Sequence, residues 1–316
     1  AYETCGRDWS SDVCSSDLSY GETGMAHLLE HLLFKGSTKH PTVWAEFTKR
    51  GLRANGTTSF DRTNYFASFS ANPENLRWYL GWQADAMVNS FIAKKDLDTE
   101  MTVVRNEFEM GENNPGRVLL QKTLSAMFQW HNYGKSPIGA RSDIENVDIT
   151  KLQAFYRKYY QPDNASLIVT GRFDVQQVLA WVVEFFGPIP RPQRQLAPTY
   201  TLDPPQDGER QVTVRRVGGT PFIYLGYHVP AGASFDFAAV ELLASVIGDT
   251  PGGRLHKQVV EKKLAAQTFG WAWDLAEPGM LFFGAALAPG QDTAKAQAAM
   301  FSTLDSLRTE IGRAHV

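Results

Sequence analysis

Cysteine is nearly absent: the 316 residues contain two, Cys5 and Cys14, both near the start. Beyond them the chain has no thiol, which excludes a disulfide framework and a cysteine-rich structural zinc module there. The same scarcity decides no redox compartment. Long hydrophobic runs are missing too. The longest uncharged apolar run, PGMLFFGAALAPG, is too short and too rich in Gly and Pro to span a bilayer. Nor does an excess of one charge exist. Lys and Arg number 31 against 34 Asp and Glu, a net charge of −3, so no general pull toward nucleic acid or anionic membrane is expected. No signal peptide is legible at the start. What is present is a globular balance, 43% hydrophobic and 21% charged residues. The length exceeds what one core usually fills, and two domains are expected.

The two ends read as foreign to the rest. One codon choice for IGRAHV, residues 311–316, has a reverse complement that translates as DVCSSD, the string at Asp12–Asp17. Opposite strands of one DNA stretch would produce that relation, and the string resembles a sequencing adapter. Residues 1–18 and 311–316 are therefore expected to be non-native tails. Both cysteines fall in the first of them.

Between the tails, hydrophobic periodicity suggests an alternation of helices and strands. GMAHLLEHLLFKG is helical, and TVWAEFTKRG is a second helix ending near Gly51. LRANGTTSF and TNYFASFSA alternate and predict two strands joined near Asp61 and Arg62. Asn72 and Pro73 mark the start of another helix. Further helices follow, then a buried-type strand at NASLIVTGRF and an amphipathic helix at DVQQVLAWVVEFFG. The segment 188–209, rich in Pro and polar residues, predicts a linker. Beyond it RQVTVRRV, PFIYLGYHVP, QTFGWAWDL and GMLFFGAAL predict strands, with helices at DFAAVELLASVIG, at GRLHKQVVEKKL and from Thr293 to Arg308. The expected fold is α+β, two related domains, each a mostly antiparallel sheet with helices packed on it. Their bounds are 19–187 and 210–310, the second truncated.

In HLLEH, His27 and His31 stand four residues apart, on one face of a helix. Leu28, Leu29, Leu32, Leu33 and Phe34 make that helix apolar nearly all round, and buried imidazoles need partners. An ordinary buried helix with a polar patch is the plain reading. A catalytic zinc is the sharper one, because two imidazoles suit that ion. Zinc makes a bound water acidic enough to deliver hydroxide near neutral pH. A carboxylate beside the metal can then carry the proton, and Glu30 is placed for that. A third ligand must come from elsewhere. TEMTVVRNEFEMGE offers Glu100, Glu107, Glu109 and Glu112. Glu100 and Glu107 are seven apart and share a helix face, so one could bind the metal and the other orient a ligand.

H-x-x-E-H is the inverted zinc motif of the inverzincins. The run GETGMAHLLEHLLFKGS resembles the pitrilysin, insulin-degrading-enzyme and mitochondrial-processing-peptidase family of metallopeptidases. That resemblance extends over essentially everything between the tails. It implies Glu107, in VVRNE, as third ligand and Glu100 as a supporting acidic residue. It also points to NGTTSFDRTNY, where the strand carrying Asn55, Gly56, Thr57 and Thr58 would hold an extended peptide by strand pairing. Gly56 replaces the family's usual alanine.

The resemblance implies a zinc-dependent endopeptidase or oligopeptidase, with one Zn2+ per site, acting on peptides or unfolded polypeptides. It implies a second homologous half, in the same parent chain or as a separate subunit, and no nucleic-acid partner or membrane span. Strands that precede the zinc helix in the family are expected to be missing, which would leave an unpaired sheet edge. The isolated chain is therefore expected to bind zinc weakly and cleave poorly. A bacterial source and a periplasmic or otherwise exported location are favoured. The rival reading is a non-catalytic homologous subunit of a processing or assembly complex; such subunits usually lose motif residues, and here they are all present.

Overall fold

Alternating runs become strands and capped apolar runs become helices, largely in the predicted order. The computed structural model describes residues 4–11, 21–197 and 201–308. Cys14 and residues 311–316, in the suspected tails, lie outside these. Two compact units form, one from residues 1–109 and 135–202, the other from 110–134 and 203–316.

The first unit begins with β1 (Thr4–Ser11), followed by α1 (Met25–Leu33), α2 (Val43–Arg50), β2 (Arg53–Thr58), β3 (Thr63–Ser70), α3 (Pro73–Asn89) and α4 (Lys94–Glu112). After α5 (Pro115–Met127), which belongs to the second unit, come α6 (Arg141–Glu145), α7 (Ile149–Tyr159), β4 (Ala165–Thr170) and α8 (Val175–Phe186). The sheet runs β2-β3-β1-β4, antiparallel throughout. Local chemistry sets the boundaries. The Asn72 side chain accepts from the Glu74 and Asn75 amides and Pro73 opens the first turn, so α3 starts where predicted. Gly51, in the left-handed region at φ 64°, ends α2. The core gathers Tyr65, Tyr79, Trp82, Phe47, Leu28 and Leu29, all fully buried.

Two expectations are corrected here. The suspected N-terminal tail does not leave the sheet with a gap: Thr4–Ser11 pairs with β3 from Thr4↔Ser70 to Ser11↔Thr63 and with β4 on its other side. A ladder is made by backbone groups, so TCGRDWSS completes it without an alternating apolar pattern. NASLIVT is also not a buried strand. β4 ends the sheet, alternates half-buried and exposed residues, and leaves Ile168 51% exposed.

The second unit holds β5 (Phe222–Val229), α9 (Phe237–Gly248), β6 (Gln267–Trp273), β7 (Gly279–Ala286) and α10 (Thr293–Asp305), with an antiparallel sheet in the order β5-β7-β6. Residues 110–134, assigned by sequence to the first domain, group with this unit because α5 packs on β5. RQVTVRRV forms no strand; alternation needs a ladder partner, and this run makes none. GRLHKQVVEKKL gives only a short helical start and a π turn over His256–Val260.

Candidate metal and active site

α1 is built to hold a fixed position. It starts at Gly24, whose φ of 86° favours glycine, and a Cβ there would stand 2.5 Å from the Ile138 carbonyl oxygen. Next to it, the Thr23 hydroxyl donates to Asp143 Oδ2 at 2.6 Å and accepts from the Ala140 amide at 2.9 Å. Met25, Ala26, Leu28, Leu29, Leu32 and Leu33 are buried, while His27, Glu30 and His31 share the remaining, half-buried side. Burying a large apolar side chain contributes about 1.5–3 kcal/mol, so this stripe fixes the direction in which the imidazoles project.

Those imidazoles meet a carboxylate from α4. His27 Nε2 lies 3.4 Å and His31 Nε2 3.6 Å from Glu107 Oε2. One ligand atom from each of the three residues falls within 4.8 Å of the others. Both nitrogen–oxygen separations exceed a good hydrogen bond. They are close to the edge of a tetrahedron with ligands at zinc distances, about 3.3 Å. The histidine rings stand edge to face with centroids 4.8 Å apart. Burial, with the His31 charge adding to it, lowers the His27 imidazole from 6.5 to about 4, so its nitrogens are neutral donors at ordinary pH. His27 Nδ1 is buried and has no hydrogen-bond partner among the described residues. Two imidazoles and a carboxylate are a donor set that fits zinc.

Supporting groups surround this triad. Glu100 Oε2 lies 3.0 Å from His31 Nδ1, and Glu100 Oε1 pairs with the Lys35 ammonium. Burial would raise the Glu100 carboxyl, but the bonds and charges of Lys35 and His31 outweigh it and hold the group below its usual range. With that carboxylate ionised, His31 donates from Nδ1 and turns Nε2 toward Glu107. Glu30 has a separate setting. The Thr58 hydroxyl donates to Glu30 Oε2 at 2.6 Å. Burial raises the Glu30 carboxyl, Glu107 adds to this, and the Thr58 bond and His31 oppose it. A raised carboxyl pKa suits a group that must take and return a proton.

The four residues Asn55–Thr58 divide between the two faces of β2. Asn55 and Thr57 are exposed, while Gly56 is buried and Thr58 half-buried. A Cβ at Gly56 would stand 2.8 Å from Glu30 Cγ, so glycine here leaves room for the carboxylate. β2 is an edge strand, as pairing with a peptide requires. Glu109 and Glu112 are exposed and stand apart from the triad. The other described histidines stand outside the triad, His256 in the π turn of the second unit. His40 Nδ1 is 3.4 Å from Asp85 Oδ2, His131 Nε2 is 2.6 Å from Glu277 Oε2, and His228 packs its ring on Phe128. Sequence reasoning misses Lys35 and the bond from Thr58 to Glu30. The spacing His27, His31, Lys35 would have hinted at the first.

Residues 19–141 match the family described as Insulinase (Peptidase family M16), and residues 146–316 match the Peptidase M16 inactive domain. The chain belongs to peptidase family M16. The triad and Glu30 lie within the first of these matches. Among M16 relatives, a zinc protease of Helicobacter pylori, PqqE, is 32% identical over 294 residues, covering 90% of this chain and 65% of its own length. An uncharacterized zinc protease of Mycobacterium tuberculosis is 28% identical over 281 residues, covering 88% of this chain and 64% of its own length. This chain thus spans just under two thirds of these curated relatives. The crystal structure of a protease from Helicobacter pylori superposes with a TM-score of 0.93 at 28% identity, over 98% of this chain and 76% of that one. The periplasmic protease PqqL of Escherichia coli shares the M16 fold at a TM-score of 0.74 and 20% identity, over 99% of this chain and 36% of that one.

Proposed function

We propose that this chain carries the catalytic site of a zinc-dependent endopeptidase or oligopeptidase that hydrolyses peptides or unfolded polypeptides. The convergence of His27, His31 and Glu107 within 4.8 Å, with Glu30 on the same helix, carries this reading. His27, His31 and Glu107 would hold the ion, and zinc bound there supplies acidity to a water molecule. Glu30 takes a proton from the attacking water as its oxygen bonds to the peptide carbonyl carbon. Glu30 then returns that proton to the amine nitrogen as the C–N bond breaks. Thr58 keeps the Glu30 carboxylate aimed, and Glu100 keeps His31 in the tautomer that offers Nε2. The edge of β2, at Asn55 and Thr57, pairs with the substrate backbone, which favours extended chains over any one side-chain sequence.

This chain covers 36% of PqqL but 69% of that protein's first half, which supports a second homologous half, in the same parent chain or as a separate subunit, that completes the substrate chamber. Export is supported by the relative named a periplasmic protease; no described helix is long and apolar enough to cross a membrane. The decisive experiment assays the full-length parent on a fluorogenic peptide with and without chelator, beside Glu30→Gln. Cleavage that stops with chelator and in Glu30→Gln, while this variant retains zinc, is the expected result. Chelator-insensitive cleavage would rule the mechanism out. A second reading rests on the match of residues 146–316 to an inactive domain: a non-catalytic subunit would bind zinc and cleave nothing. The isolated 316-residue chain is expected to bind zinc weakly and hydrolyse poorly; robust hydrolysis by it would overturn that expectation.

A further inference from the structure

We propose that Lys35 is a positioning residue for the metal-binding nitrogen of His31, acting through Glu100. The proposal rests on the zinc reading above. Lys35 follows His31 by four residues, in the turn just past the end of α1. Its ammonium meets Glu100 Oε1, while Glu100 Oε2 is the oxygen 3.0 Å from His31 Nδ1. A single carboxylate thus bridges a cation and an imidazole, and neither oxygen can turn without breaking one of the two contacts.

Burial makes the bridge matter. The Glu100 side chain is 10% exposed and that of Lys35 29%. A carboxylate this buried needs a counter-charge to stay in place. Without the ammonium, Glu100 is free to turn toward water, and His31 loses the acceptor that keeps its proton on Nδ1. The ring can then offer the wrong nitrogen to Glu107 and to the ion. Partners of this kind behind a metal-binding histidine typically change affinity by about 10–100-fold.

A purely electrostatic role for Lys35 predicts the opposite sign. A nearby positive charge opposes a dication, so removing it without disturbing Glu100 would tighten zinc binding. Lys35→Met keeps the apolar stem and removes the charge; Lys35→Arg keeps a cation with donors for the carboxylate. Zinc affinity of the full-length parent is measured by competition with a chromophoric chelator, after thermal melts establish that each metal-free variant folds. Lys35→Met should weaken binding by roughly tenfold, Lys35→Arg should restore it, and Lys35→Met should have no further effect in a Glu100→Gln background.

An independent measurement needs no metal. Long-range proton–nitrogen correlation spectra in mildly alkaline buffer should show His31 protonated on Nδ1 in the wild type and a tautomer mixture in Lys35→Met. Unchanged or tighter zinc binding in Lys35→Met, an additive loss in Glu100→Gln, or an unchanged His31 tautomer overturns the proposal. A full-length wild-type parent that binds no zinc would instead sink the zinc reading, while the tautomer comparison would still decide the role of Lys35.

Discussion

Thr58 donates its hydroxyl proton to Glu30 Oε2 across 2.6 Å, and so ties the helix that carries the two histidines to the edge strand β2, proposed to align a substrate. The same strand therefore orients the base and offers the backbone that would align a peptide. A hydrogen bond to a charged group contributes about 1.5–3 kcal/mol. Thr58→Val in the full-length parent should lower kcat by roughly tenfold to a hundredfold with little change in KM. Thr58→Ser should recover most of the loss. Steady-state kinetics on one peptide decide it, and an unaffected kcat in Thr58→Val would show that Glu30 needs no such support.

Two glycines near the site should respond differently to alanine. At Gly56 the added Cβ would meet Glu30 Cγ and Oε1 at 2.8 and 2.9 Å, side-chain atoms that can shift where a backbone carbonyl cannot. At Gly24 it would meet the Ile138 carbonyl at 2.5 Å, from a left-handed backbone. Gly56→Ala should cost less than about 1 kcal/mol of stability and Gly24→Ala at least about 2 kcal/mol. Denaturant melts of the two variants test the order; a reversed order would contradict the packing described.

Leu29 is fully buried beneath the imidazoles. Leu29→Ala should destabilise the first unit by about 2–5 kcal/mol through the cavity it leaves. Zinc affinity should fall with it, because the helix loses its seat. Calorimetry and metal competition on the same sample check both effects, and a stable variant with weak zinc binding would separate them.

Acid should destabilise the metal-free protein through His27. Its folded imidazole gains a proton near pH 4 and the unfolded one near 6.5. Between these values the unfolded chain holds more protons, so the contribution is present above the window and is lost as pH falls through it. The expected loss relative to His27→Gln, which cannot titrate, is at most about 3 kcal/mol. Urea unfolding of both proteins in chelator across this range measures it. A constant difference between the two would mean that His27 is not held neutral by burial.

Much of the site was legible because its signal is local. The spacing of His27, Glu30 and His31 survives in any helix, and the leucines around them declare the buried side. Glu107 was harder. Spacing left several acidic residues of α4 open, and only the family resemblance preferred the one that meets the imidazoles. Lys35 and Thr58 were out of reach in these roles, since a lysine after a helix and a threonine in a strand have many ordinary uses. The misreadings share one cause. RQVTVRRV, the exposed edge at β4 and the placement of α5 all depend on which distant segment lies alongside, and periodicity carries no such information.

Helix α1 is seated by six side chains that point away from the imidazoles. Its shape is thus set by oil rather than by the ion, unlike a zinc finger, which collapses when stripped of metal. The protein can therefore be made empty, kept folded, and charged later. Under the proposed zinc chemistry, whether a given copy is armed then becomes a question of metal supply, decided after folding is complete.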